Sequence, residues 1–169
     1  MGKVVLVLGD DVSTDIIYPG RFMATVLPTE TPRFAFADDP DFNRALVEGR
    51  VPAGGIIVAG ENFGSGSSRE QAASCLRGHG LVIVARSFAR IFLQNAVNLG
   101  LPTVTCPEIS ATVGDELEIR NDRVVNVTQG KEFAVLPLAP ARQAVVDAGG
   151  LIPYVRRRLT DAQGRDTTR

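Results

Sequence analysis

Between residues 56 and 105 the chain alternates continuous apolar runs with helical patterns, and this alternation restricts its fold more than any other feature. Ile56–Ala59 is apolar throughout and is bounded by Gly54-Gly55 and Gly60. Leu81–Ala85 repeats the pattern, and Leu101–Thr105 closes it. A strand that is apolar at every position, rather than at every second one, is covered on both faces. Between the strands, Ser68–Arg77 places Ala72, Ala73 and Leu76 on one helical face. Phe88, Ile91, Phe92, Asn95, Ala96 and Leu99 form a second such face, which Gly100 and Pro102 end. Strand–helix–strand–helix–strand in this order predicts a βαβ core.

The flanking segments extend that core. Val4–Leu8 reads as a strand delivering the polar loop Asp10–Arg21. Residues 28–40 read as an irregular excursion, followed by a short helix near Asp41–Glu48. Glu116–Ile119, Arg123–Thr128 and Phe133–Leu138 are short strands separated by the turn signals Asn121-Asp122 and Gln129-Gly130. A last helix is expected over Pro140–Ala148, ended by Gly149-Gly150. With 169 residues and no dividing linker, the expectation is a single α/β domain with a mixed sheet and flanking helices. It would span residues 1–159, with a polar, disordered tail over 160–169.

Composition removes several function classes. A net charge of −1 offers no case for nucleic acid or an acidic membrane surface. No apolar run approaches the roughly 18–20 residues of a membrane span. Val4–Leu8 is too short for a signal peptide, so a cytoplasmic protein is expected. Cys75 and Cys106 lack CxxC spacing and a nearby histidine, so no zinc or iron–sulfur site is encoded and buried free thiols are expected. The sole histidine, His79, follows the first helix and points away from the serines upstream of it, which disfavours a Ser-His-Asp triad.

The chemistry concentrates in Gly60-Glu-Asn-Phe-Gly-Ser-Gly-Ser-Ser-Arg-Glu-Gln71. Gly60, Gly64 and Gly66 lead into Ser67, Ser68 and Arg69 at the start of a helix, an arrangement suited to an anion. Two readings of Ser67 stand side by side. Ser67-x-x-Glu70 has the spacing of a capping box, which would use the hydroxyl for the helix alone. Yet capping needs neither a second serine nor upstream glycines, which let backbone approach a ligand closely. A P-loop is excluded because no lysine lies between Lys3 and Lys131. The dinucleotide fingerprint fails at Arg69, whose guanidinium instead suits a carboxylate. A serine acting as base needs its oxyanion stabilised, which helix N–H groups and an arginine can do. The chemistry left open is proton abstraction next to a carboxylate.

Gly60–Glu70, together with Ser87-Phe-Ala-Arg-Ile-Phe92, Asn95 and Asn98-x-Gly-Leu-Pro102, closely resembles the swivel domain of the aconitase superfamily. Size and the start Gly9-Asp-Asp-Val-Ser-Thr-Asp15 resemble the 3-isopropylmalate dehydratase small-subunit family, as do Gly114-Asp-Glu116 and Ala148-Gly-Gly-Leu151. The resemblance covers about residues 4–159. It implies the swivelling β/β/α fold and a hydro-lyase that interconverts 2- and 3-isopropylmalate by dehydration and rehydration in leucine biosynthesis. It also implies a large partner subunit carrying a [4Fe-4S] cluster whose open iron binds the substrate, with no metal held by this chain. By the motif match, Ser67 would be the base, and Ser68, Arg69 and Arg21 would bind substrate carboxylate. Asp15 would orient Ser67 or the Asp15–Arg21 loop, with Gly64, Gly66 and Glu70 in support; the competing reading of Asp15 is an ordinary Asx turn.

Two positions depart from the family pattern. Gln71 stands where histidine is usual, and the specificity loop reads Arg21-Phe22-Met23-Ala24-Thr25, with Ala24 in place of a larger discriminating side chain. The alternatives are therefore the small subunit of homoaconitase or of a dimethylmalate dehydratase, and, from another class, a non-catalytic carboxylate-binding module.

Overall fold

The computed structural model describes residues 1–166, with side chains described as far as residue 161. β1 (Gly2–Val7), β2 (Ile56–Ala59), β3 (Val82–Ala85) and β4 (Thr103–Thr105) run parallel, as the alternation predicts. β5 (Glu116–Ile119), β6 (Arg123–Asn126) and β7 (Lys131–Ala134) form an antiparallel meander. β5 pairs with β1, so a single seven-stranded mixed sheet results, in the order β4-β3-β2-β1-β5-β6-β7. Past β7 the chain leaves β6, and Leu136 donates its N–H to the Thr105 carbonyl at 2.8 Å. The strand expected over Phe133–Leu138 is thereby split, because its second half meets β4 instead of β6.

The unalternating strands are buried on both faces. Ile57, Ala59, Ile83 and Ala85 face one core, shared with Ala72, Ala73, Cys75 and Leu76 of α3 (Glu70–Gly78) and Phe92 and Ala96 of α4 (Arg90–Leu99). Ile56, Val58 and Val84 face the other, closed by Val4, Cys106, Ile109, Leu117 and Val124. α2 (Pro40–Val47) falls where a short helix is expected, with the Asp39 carboxylate accepting from the Phe42 N–H at 3.1 Å.

Four elements go beyond the sequence reading, one of them the 3₁₀ turn Gly20–Phe22. α1 (Thr14–Ile17) is a single turn inside the expected Asp10–Arg21 loop, capped by the Ser13 hydroxyl. Thr31–Phe34 forms a 3₁₀ turn in the excursion. α5 (Pro140–Asp147) stops near the expected place, but α6 (Leu151–Asp166) follows at once and continues past residue 159 into the stretch read as a polar tail. Residues 167–169 lie outside the described residues.

Candidate active site

The loops leaving the carboxyl ends of β1, β2 and β3 meet on one side of the sheet, where parallel α/β sheets place their ligands. Backbone bonds stitch them together. The Gly64 N–H donates to the Val12 carbonyl and the Thr14 N–H to the Ser65 carbonyl, each at 2.8 Å. From the third loop, the Ala89 N–H donates to the Phe63 carbonyl at 2.9 Å. The acidic start of the first loop serves this stitching: Asp10 accepts the Glu61 N–H and Asp11 accepts from the Asn62 side chain, both at 2.7 Å.

The capping box does not form. α3 begins at Glu70 with Arg69 as its N-cap residue, in extended conformation and with no side-chain cap. The cause lies upstream. Gly66 takes φ +86, and the Thr14 hydroxyl donates to the Ser67 carbonyl at 2.9 Å, which keeps residues 67–69 out of the helix. Ser67, Ser68 and Glu70 are left exposed beside the first N–H groups of α3, which no side chain claims.

The glycines act differently from the expectation of close approach to a ligand. At Gly64, φ is +83 and a Cβ would lie 2.2 Å from the Phe92 ring, so the loop packs against its own core. Gly60 approaches Asp10 in the same way. Of the three, Gly66 has a left-handed φ without a clash: a Cβ there would make ordinary contacts with Thr14 and Ser13, at 3.7 and 3.8 Å.

Arg69 is the buried member of the site, at 8% exposure. Its Nη1 forms an ion pair with Asp15 and donates to the Tyr18 carbonyl at 3.4 Å, while Nε–H has no partner in the protein. The hydrogen bond from Arg69 holds the Asp15 carboxyl below the usual carboxylate range, and the same carboxylate accepts the Gly20 N–H at 3.2 Å. Asp15 thus holds Arg69 and the turn at Gly20, whereas Ser67 is held by Thr14.

Arg21 lies in the 3₁₀ turn Gly20–Phe22, exposed and paired with the Asp38 carboxylate, which raises its pKa further. Phe22–Thr25, the expected specificity loop, follows at once. The Phe22 ring stacks on Phe34 with centroids 4.2 Å apart, Met23 and Ala24 are exposed, and Thr25 is half-buried. Gln71 donates from its side-chain amide to the Met23 carbonyl at 3.3 Å, tying this loop to α3. The structure therefore gathers the segment from Asp15 to Thr25 around Arg69 and Gln71, within the same surface as Ser67 and Ser68.

Sequence reasoning missed Thr14 and Tyr18, two buried residues whose polar atoms hold the turn. A threonine directly before Asp15 in a polar loop was the one available signal for Thr14. Tyr18 carried none beyond its place among apolar neighbours.

The other candidates lie elsewhere. His79 sits past the C-terminus of α3, its Nε2 2.8 Å from the Pro32 carbonyl. Cys75 and Cys106 are free and buried; burial pushes the Cys106 thiol up to about 11 and that of Cys75 higher still. Among the described residues no three His, Cys, Asp or Glu side chains come together to hold a metal ion. No helix among the described residues is long and apolar enough to cross a membrane.

Residues 36–109 match the aconitase C-terminal domain family. The chain is 45% identical over 157 residues to the 3-isopropylmalate dehydratase small subunit of Moorella thermoacetica, a match covering 89% of this chain and 92% of that one. It is 42% identical over 153 residues to the 2,3-dimethylmalate dehydratase small subunit of Eubacterium barkeri, covering 87% and 91%. The crystal structure of 3-isopropylmalate dehydratase from Methanocaldococcus jannaschii superposes with a TM-score of 0.87 at 34% identity, covering 97% of both chains. The mixed seven-stranded sheet with its flanking helices and these relatives together place the chain in the 3-isopropylmalate dehydratase small-subunit family of the aconitase superfamily.

Proposed function

We propose that this chain is the small subunit of a heteromeric hydro-lyase that interconverts 2-isopropylmalate and 3-isopropylmalate, in the cytoplasm, as a step of leucine biosynthesis. The observation that carries the reading is the exposed Ser67-Ser68 pair beside an uncapped helix and a buried arginine. Such a surface supplies a proton acceptor and carboxylate donors but no enclosure. It is half of a site, and a large subunit bearing a [4Fe-4S] cluster would supply the other half.

In this reading Ser67 takes the proton next to the substrate carboxylate. The free N–H groups of α3 and the Arg69 charge favour the oxyanion that a serine base requires. Ser68 and Arg69 hold a carboxylate, a partner that suits the planar guanidinium. Arg21 offers a second cation at the edge of the specificity loop Phe22–Thr25. Asp15 holds Arg69 in place, while Gly64, Gly66 and Glu70 shape the turn and the start of α3. The domain proposed to carry this site spans residues 1–159, its last helix running on past that bound.

The test is reconstitution with a cluster-bearing large subunit and a panel of malate-type acids. Isomerisation of isopropylmalate by the mixture, and by neither chain alone, is the expected result. Activity from this chain by itself would contradict the reading. Preference for 2,3-dimethylmalate is the second reading, favoured by the 42% identity to that dehydratase's small subunit and by the small side chain at Ala24.

A further inference from the structure

Tyr18 is fully buried and touches both halves of the site. Its carbonyl accepts from Arg69 Nη1 at 3.4 Å. Its hydroxyl is shared between the Phe22 carbonyl at 3.1 Å and the Thr25 carbonyl at 3.3 Å, the two ends of the specificity loop. Its ring meets Phe34 edge-on at 6.2 Å, and Phe34 in turn stacks under Phe22. Gln71 holds the carbonyl between, that of Met23. Three carbonyls of a four-residue loop are thus held by side chains, and the residue left between them is Ala24.

An alanine cannot select a substrate by filling space. Where the side chain is small, the path of the backbone sets the width available to the substrate's substituent. We infer that Tyr18 is a positioning residue for substrate selection: its hydroxyl fixes the path of Phe22–Thr25 relative to Arg69, and so sets which malate substituent fits. Burial raises the Tyr18 pKa, so the phenol stays a donor throughout the working pH range. The inference rests on the dehydratase reading above and concerns the loop's placement, not the chemistry.

Tyr18→Phe tests it, because the ring packing is kept and only the hydroxyl goes. In the full chain, hydrogen exchange over residues 22–27 should quicken by about five-fold, the worth of one modest hydrogen bond. In the reconstituted complex, kcat/KM for 2-isopropylmalate relative to a methyl-substituted malate should fall by about five-fold, carried by KM with kcat within about two-fold. Gln71→Leu should move both readouts in the same direction. Unchanged exchange would overturn the inference, as would quickened exchange with an unchanged substrate ratio. A wild-type complex idle on every malate-type acid would overturn the dehydratase reading itself, and the inference with it; the wild-type control separates the two failures.

Discussion

The Thr14 hydroxyl donates to the Ser67 carbonyl at 2.9 Å from a side chain only 2% exposed. Its own backbone N–H donates to the Ser65 carbonyl two residues earlier. One residue on the first loop thus grips the second loop on either side of Gly66. This grip keeps Ser67 off the helix and faces it to solvent.

Thr14→Val keeps the shape and removes the grip. Losing this one part-buried hydrogen bond costs about 1 kcal/mol, visible as a lower Tm. With Ser67 less firmly placed, kcat in the reconstituted complex should fall by about ten-fold while KM stays nearly level. An equal rise in KM with kcat unchanged would count against a positioning role.

Gly64 and Gly66 should separate on substitution. A Cβ at Gly64 would collide with Phe92, and the left-handed φ adds strain, so Gly64→Ala should cost about 3 kcal/mol or more. Gly66→Ala makes only ordinary contacts, with Thr14 Oγ1 at 3.7 Å, and bears the strain of its φ, about 1–2 kcal/mol. Thermal melts should rank them so. Activity should be lost in Gly66→Ala even where the chain remains folded, because the turn presenting Ser67 is altered.

Asp115 predicts a pH dependence remote from the site. The Thr112 backbone N–H holds its carboxyl below the usual range, followed by the side-chain amides of Asn126 and Gln129. A folded pKa below the unfolded one gives stability that is fully present above the ordinary carboxylate range and lost as pH falls through the lowered value. Asp115→Ala should therefore melt below wild type near neutral pH, and the gap should close in acid. A gap that widened on acidification would contradict the network.

The sequence displayed the sheet's centre because Ile56, Ile57, Val58 and their β3 partners are apolar for two different cores at once. It hid the insertion of the meander, since nothing local tells β5 to pair with β1. α6 was missed because it follows two glycines and most of its described side chains are exposed, leaving little apolar period to detect. At the site, residue types were legible and their partners were not. The capping box had ideal spacing, yet Thr14, more than fifty residues away in sequence, displaced it by taking the Ser67 carbonyl. Asp15 was expected to orient Ser67 or the Asp15–Arg21 loop; its carboxylate accepts the Gly20 N–H within that loop, and its other partner, Arg69, was not foreseen. Long-range hydrogen bonds decide such questions, and no local pattern encodes them.

The most direct measurement is the kinetics of Ser67→Ala in the complex reconstituted with the large subunit. A positioned base is worth about 10²–10⁴ in rate, so kcat should fall at least about a hundredfold with KM changed by less than about three-fold. Because Ser67 caps nothing in the structure, the variant's Tm should match wild type. Retained kcat, with or without a lower Tm, would contradict the account.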